Sequence, residues 1–332
     1  MLTVGLIGAG RIGRVHASTI VQDEGSQLVA VADSVDENAK NLAKLYKVNP
    51  RSVDAIFEDN SIEAILIASS TDTHSDFIEK ASKAGKAILC EKPVDLSLAR
   101  AKRCLENTKS NEHLIMMGFN RRFDPNFVAL KKALDGGEIG TAELLSITSF
   151  DPAPPPIDYV KVSGGIFKDM MIHDFDMANF LYGELPKSVF VSASAIIDKK
   201  IGALGDYDTA VATLKYRDGR LAVIKNSRRA TYGYDQRIEV LGSKGLLQVQ
   251  NMVENSMVKS TEMGVESSKP EYFFLERYKS AYQNEWTAFV TAVKTKTPMP
   301  VSLSDGIAAL AIAEAAAASA EMGSEVAIAN FL

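Results

Sequence analysis

The stretch that most limits what this chain can fold into is Gly8-Ala9-Gly10-Arg11-Ile12-Gly13, a G-x-G-x-x-G pattern between the apolar run "TVGLI" and the helical segment "RIGRVHASTI". The three glycines have separate tasks. The first permits a tight turn out of a strand, the second lets a pyrophosphate approach the backbone, and the third lets strand and helix pack closely. A helix that starts there offers free N–H groups and a positive dipole end to an anion. Asp33 closes the next strand, "QLVAVAD", about twenty residues further on, where a carboxylate can bind the ribose hydroxyls of a dinucleotide. Ser34, Val35 and Asp36 follow with no base among them, which favours NAD over NADP, whose 2′-phosphate needs a cation. The competing reading of Asp33 is a turn residue at a strand end.

The pattern continues to about residue 120. The strands "AILIASS", "KAILCEKP" and "HLIMMGF" alternate with helices over "NAKNLAKLY", "HSDFIEKASKAG" and "LSLARAKRCLENTK". Short apolar strands separated by helices predict a doubly wound parallel sheet of the Rossmann kind, covered on both faces. Beyond it, "AELLSITSF", "SVFVSASAII", "TAVATLKY", "LAVIKNSRRATY", "QRIEVLGS" and "GLLQVQ" alternate with period two. That texture predicts an α+β domain with an open, mostly antiparallel sheet and one wet face. The expected division is 1–120 for nucleotide binding and 121–332 for substrate and oligomerisation, with the alanine-rich C-terminal helix packing back toward the first domain. "DPAPPP" reads as a shaped loop and "KSTEMGVESSKPE" as a mobile one.

Bulk properties narrow the class. A chain of 332 residues is long for a single core. A net charge of -5 argues against a nucleic-acid surface. Asp23-Glu24 closely follows the first apolar stretch, which reads against a leader peptide, and no run is expected to reach the ~20 apolar residues of a membrane span. Cys90 and Cys104 follow no metal spacing, so a reduced, cytoplasmic protein is the simpler reading.

Two further motifs carry chemistry. Glu91-Lys92-Pro93 ends the fourth strand, where ligands of open α/β sheets collect, and Pro93 holds Lys92 extended through a bond that can be cis. In "GGIFKDMMIHDFD", Asp169 and His173 stand four apart, an i, i+4 pair on one helical face, just after the flexible Gly164-Gly165. A histidine titrates in the range a general base needs, so His173 beside Asp169 is a candidate proton-transfer pair, and Lys92 faces the crevice where a nucleotide's reactive ring would lie. No metal is called for. The bland alternative is a helix-capping acid beside a satisfied core histidine.

"GLIGAGRIGRVHA", "AILCEKPVDLSLA" and "GGIFKDMMIHDFD" together resemble the glucose-fructose oxidoreductase / inositol dehydrogenase family of NAD(P)-dependent oxidoreductases, over nearly the whole chain. "GFNRRFDPNF", "DPAPPP" and "NSRRATYGYDQRIEVLGSKG" lean toward its inositol-oxidising members. The resemblance implies the catalytic trio Lys92, Asp169 and His173. In the alcohol oxidation it implies, His173 would take the hydroxyl proton, Asp169 would share hydrogen bonds and bias the imidazole, and Lys92 would donate to the reacting oxygen and favour alkoxide character. It implies cofactor contacts from Gly8, Gly10, Arg11, Ile12 and Asp33, from Ser69, Thr71 and His74 in the loop over the cofactor, and from Glu91 and Lys92. Substrate contacts would come from Lys92, Asp151, Asp169, His173, Asp176 and Tyr234. The implied activity is NAD-dependent oxidation of a cyclic polyol, myo-inositol first, with scyllo-inositol or a monosaccharide as the alternative. A homotetramer built through the second sheet is implied as well. Two positions depart from the pattern: Ser70 stands where many relatives carry proline, and Phe150 where many inositol-type relatives carry arginine. The function from another class is a non-catalytic NAD-binding sensor, which has no chemical need for all three of Lys92, Asp169 and His173. His16 reads as structural, His113 as a solvated loop residue, and Arg228-Arg229 as a solvated or interface strand position.

Overall fold

Six strands, β1 (Leu2–Ile7), β2 (Ser26–Ala32), β3 (Asn49–Pro50), β4 (Ala64–Ile67), β5 (Ala87–Glu91) and β6 (Ile115–Gly118), pair in parallel in the order β3-β2-β1-β4-β5-β6. Their near-continuous apolar runs, such as the wholly buried Ala64–Ile67, suit strands covered on both faces. Helices Arg11–Gln22, Asp36–Tyr46, Val53–Glu58, His74–Lys83 and Leu98–Thr108 make the connections. The chain winds outward from β1 in one direction and then, from β4, in the other. The switch point therefore lies between the C-terminal ends of β1 and β4, the place where such sheets hold nucleotides.

The computed structural model describes residues 1–332, which fall into two compact units: Met1–Phe123 with Ser280–Leu310, and Asp124–Lys279 with Ala311–Leu332. The units therefore divide at three places, where the sequence suggested a single boundary near residue 120. Ser280–Leu310 supplies core to the first unit. Trp286 is buried there and donates its indole N–H to Ser26 Oγ at 2.9 Å, and the Met117 N–H donates to the Val301 carbonyl.

The second unit is built on β7 (Ala142–Phe150), β8 (Ser188–Ser194), β9 (Thr209–Lys215), β10 (Leu221–Ser227), β11 (Asp235–Gly242) and β12 (Gly245–Val249). A hairpin, β13 (Val258–Thr261) with β14 (Gly264–Ser267), stands apart from this sheet, and β15 (Val326–Ala327) is added at its edge. The order is β12-β11-β7-β10-β9-β8-β15. All neighbours are antiparallel except β7 and β10. Register fixes what each face carries. Val191, Ala212, Ile224, Ile147 and Ile238 form one buried row across five strands. On the other face Phe190, Val211, Leu221, Leu144, Leu241 and Leu246 remain 38–46% exposed. Asp124 caps the helix Pro125–Asp135 and is also paired with Arg277, both buried, with the guanidinium stacked on the Phe127 and Tyr278 rings.

Four sequence expectations are corrected. "KSTEMGVESSKPE", expected as a loop, contains the hairpin β13–β14, because a two-residue Glu262-Met263 connection followed by Gly264 at φ +135° lets the two strands pair. The strand from "LAVIKN" stops at Ser227, so Arg228 and Arg229 lie beyond it. Arg228 is buried and ion-paired, not solvated or at an interface. Finally, the helix Leu303–Met322 is long and apolar enough to cross a membrane by length and composition. Its apolarity is largely alanine, and 61% of its most apolar window is buried inside the protein, as a core helix would be.

Candidate active site

Three connections of the first unit gather at the C-terminal edge of its sheet. In the turn after β1, Gly8 has φ +102° and a Cβ there would fall 2.3 Å from the Ala68 carbonyl oxygen. A Cβ at Gly13 would fall 1.9 Å from the Gly8 carbonyl oxygen, so helix and turn touch backbone to backbone. At Gly10 a Cβ would meet nothing within 4 Å. The helix Arg11–Gln22 begins with no side-chain cap and no acid in its first turn, which leaves its N–H groups for an anion. Asp33 Oδ2 accepts from the Ala9 N–H at 2.6 Å and Oδ1 from the Val35 N–H at 2.8 Å. Each oxygen retains a lone pair for a ribose hydroxyl. These residues fit a dinucleotide: a phosphate at Gly10 and the helix start, a ribose at Asp33.

The loop after β4 carries a 3₁₀ turn, Thr71–Thr73, closed by a hydrogen bond of 2.7 Å between the Ser69 and Thr73 hydroxyls. His74 is buried beneath it. Its Nδ1 lies 2.8 Å from the Pro93 carbonyl and its Nε2 3.1 Å from the Ser69 carbonyl. Burial lowers its pKa, outweighing the two carbonyls that favour the cation. A neutral imidazole donates once, and the shorter contact is to Pro93. His74 therefore ties the loop over the switch point to the Lys92-Pro93 step, a role its sequence position alone could not separate from direct cofactor contact.

Lys92-Pro93 is cis. Glu91 accepts the Lys92 N–H at 3.3 Å and meets His16 Nε2 at 2.8 Å. His16 in turn lies edge-on to the Tyr282 ring. The structural reading of His16 thus gains a task, holding Glu91 at the strand end. Behind this pair sits Glu285, fully buried, with neither carboxyl oxygen hydrogen-bonded. Burial, reinforced by the charge of Glu91, raises its pKa well above the ordinary value.

Glu285 makes stability pH-dependent with a definite sign. The folded state keeps a proton that the unfolded chain releases near the usual glutamate value, about 4.3. Stability from this group falls as pH rises above that value and goes on falling until the raised folded value is passed. Glu285→Gln keeps the shape without the titration. Thermal unfolding from about pH 5 to about pH 8 should show wild type losing up to ~1.4 kcal/mol per pH unit relative to the variant. Parallel curves would mean that Glu285 is already ionised in the fold.

The second unit holds Asp151, Asp169, His173, Asp176 and Tyr234. Gly164 and Gly165 turn the chain at φ +83° and +80°. The next residues, Phe167–Met171, form a π-helical turn that runs into the α-helix Ile172–Tyr182. The expected single α-helical face for Asp169 and His173 is therefore corrected. Asp169 sits in a stretch closed by i→i+5 bonds, and His173 in the first turn of the helix after it. Such π turns recur at functional sites. The Asp169 carboxylate accepts from the Tyr159 hydroxyl at 2.8 Å and from Arg228 Nη1 at 3.3 Å. Tyr159 is about half exposed, but desolvation at its hydroxyl end, with Asp169 alongside, raises that hydroxyl's pKa well above the usual value, so it remains a donor.

Sequence reasoning missed Asp174. Fully buried, it accepts from Ser149 Oγ at 2.6 Å and Asn226 Nδ2 at 2.7 Å, which fixes the start of the His173 helix on β7 and β10. Asp176 is buried in the same helix, about one turn past His173. Asp151 continues β7, its N–H donating to the Ser227 carbonyl and its carbonyl accepting from the Ala230 N–H. Tyr234 is buried before β11 with its ring perpendicular to Tyr278.

Residues 2–119 match the oxidoreductase family with an NAD-binding Rossmann fold, and residues 127–248 match the GFO/IDH/MocA C-terminal domain. The chain belongs to the GFO/IDH/MocA oxidoreductase family. Among GFO/IDH/MocA proteins it is 48% identical over 325 residues to the inositol 2-dehydrogenase of Rhizobium meliloti (strain 1021), covering 98% of each chain. It is 45% identical over 322 residues to the myo-inositol 2-dehydrogenase of Thermotoga maritima, covering 96% of each. The scyllo-inositol 2-dehydrogenase (NAD(+)) of Bacillus subtilis (strain 168) is 33% identical, with 92% of each covered. The crystal structure of a putative myo-inositol dehydrogenase from Sinorhizobium meliloti 1021 superposes with a TM-score of 0.96 at 48% identity, covering 99% of this chain and 100% of that one. The GFO/IDH/MocA assignment accounts for both sheets and for the glycine turn at the switch point.

Proposed function

We propose that the chain is an NAD-dependent dehydrogenase that oxidises one secondary alcohol of myo-inositol to the ketone, 2-keto-myo-inositol. The observation that carries this reading is near-full-length identity of 48% and 45% to two inositol 2-dehydrogenases, in a chain that keeps Lys92, Asp169 and His173. When bound, NAD is the acceptor of the hydride. Gly8, Gly10, Arg11, Ile12 and Asp33 would hold its phosphates and ribose. Ser69, Thr71 and the Glu91-Lys92 step would flank it, with His74 fixing that step from behind.

The protein's own groups manage the proton and the polyol. His173 takes the hydroxyl proton as general base. Lys92 donates to the same oxygen and stabilises its growing negative charge. Asp169 accepts from a substrate hydroxyl and orients it, while Asp151, Asp176 and Tyr234 supply further polar contacts to the ring. The free, buried Cys90 and Cys104 suit a reduced cytoplasmic setting. The apolar face of the second sheet, with Phe190, Leu221 and Leu241 at its surface, suits burial between subunits of a homotetramer.

The test is a panel of inositol isomers and hexoses offered with NAD and with NADP, followed by absorbance of the reduced cofactor. The highest kcat/KM is expected for myo-inositol with NAD. Preference for scyllo-inositol or glucose would reassign the substrate, and NAD binding with flat traces throughout would make the chain a sensor. The same preparation should sediment as a tetramer; an active monomer at assay concentration overturns the assembly.

A further inference from the structure

Arg228 lies one residue beyond β10, and its side chain is 1% exposed. Nothing in its sequence position marks it, since its neighbour Arg229 is exposed to solvent. Its backbone N–H donates to the Asp208 carbonyl at 2.8 Å. The Asp208 carboxylate is itself rigidly held by the N–H groups of Ile196, Ile197 and Asp198. From that base the guanidinium reaches two carboxylates. Nη1 is 3.3 Å from Asp169 Oδ2, and Nη2 is 3.9 Å from Asp206 Oδ2.

Asp206 grips the same stretch of chain from its other end. Its Oδ1 accepts the Ile166 N–H at 2.9 Å, at the entry to the π turn. The chain passes so close that a Cβ on Gly165 would fall 2.7 Å from that oxygen. The π turn is therefore held at two points, at Ile166 by the Asp206 carboxylate and at Asp169 by Arg228, and the two holds are linked by an ion pair at 3.9 Å with no hydrogen bond between guanidinium and Asp206. Tyr159 completes the arrangement by donating to Asp169 Oδ1.

A buried guanidinium is a poor way to gain stability, because its desolvation offsets most of the attraction it finds. Its planar fork is a good way to fix direction, since it can address two carboxylates in one plane where an ammonium on a flexible stem cannot. We propose that Arg228 is a positioning residue for catalysis, bridging Asp169 and Asp206 so that the π turn and the Asp169 carboxylate stay aligned toward the reacting polyol. This rests on the proposed role of Asp169 as a substrate-contacting catalytic residue.

The experiment compares Arg228→Met, Arg228→Lys and Arg228→Ala with Asp169→Asn in the full-length protein. It reads NADH affinity by fluorescence, kcat and KM for myo-inositol, and the primary deuterium isotope effect at the oxidised carbon. Misplacement of a reacting group by about 1 Å costs on the order of 100-fold in rate. Arg228→Met is expected to lose about that factor in kcat, with NADH affinity unchanged and a larger isotope effect as hydride transfer becomes limiting. Arg228→Lys should recover only part of the loss. Added guanidinium ion at millimolar concentration should partly restore Arg228→Ala. If Arg228→Met does not fold, Arg228→Lys carries the comparison. Wild-type kcat and isotope effect in a folded Arg228 variant, with only a lower Tm, would reduce Arg228 to a structural ion pair and overturn the proposal. Full turnover by Asp169→Asn would overturn the role given to Asp169 instead. Loss in Asp169→Asn with none in the Arg228 variants would sink this proposal alone.

Discussion

Lys92→Ala and His173→Ala should each lower kcat for myo-inositol oxidation by about a thousandfold, with NAD still bound. The two losses have different origins. Without the imidazole, the hydroxyl proton has no positioned acceptor, so the His173→Ala deficit should shrink as pH rises and should respond to added imidazole. Without the ammonium, developing charge on the oxygen goes unmet, and added imidazole should not help. Steady-state rates across pH, with NADH affinity measured in parallel, separate these cases. A Lys92→Ala or His173→Ala protein that turns over at the wild-type rate would remove that residue from the chemistry.

Gly13→Ala and Gly10→Ala, three positions apart in one motif, should fail in opposite ways. At Gly13 the new methyl would overlap the Gly8 carbonyl oxygen, a backbone atom, with no flexible side chain to move aside. A loss of about 3 kcal/mol of stability is expected, at the upper end for overpacking, and the glycine turn would be displaced with it. At Gly10 the backbone, φ −71°, is open to any L-residue and the methyl meets no protein atom. That variant should melt like wild type yet bind NAD at least about tenfold more weakly, because the methyl occupies the approach to the phosphates. Calorimetry and NADH titration of both proteins decide it. A Gly10→Ala protein that binds NAD normally would move the phosphates elsewhere.

The parts of the fold that were legible in the sequence are those whose signal is local. Strands β1, β2, β4, β5 and β6 are apolar runs bounded by turns, and the glycine motif fixes its own neighbourhood. β3 is two residues long and the helix Val53–Glu58 only six, too short for either periodicity to register. The parallel pairing of β7 with β10 could not be read, because an alternating strand has the same pattern in either direction. In the candidate site, Lys92 and His173 could be named from motifs. The long-range neighbours of the adjoining acids Asp169 and Glu91 could not. Arg228 meets Asp169 across 59 positions of chain, and Glu285 comes up behind Glu91 from a helix nearly two hundred residues later. The π turn was hidden for a different reason, since "FKDMMIHDF" satisfies an ordinary helical spacing equally well.

The return of residues 280–310 to the first unit bears on how this protein can be dissected. A fragment ending at Phe123 would contain every strand of the parallel sheet and the whole glycine motif, yet would leave Ser26 without its indole donor and Met117 without the Val301 carbonyl. The nucleotide-binding half is thus completed only by polypeptide that emerges from the ribosome after residues 124–279 of the other half. Its maturation during synthesis must wait until Leu310 has been added to the chain.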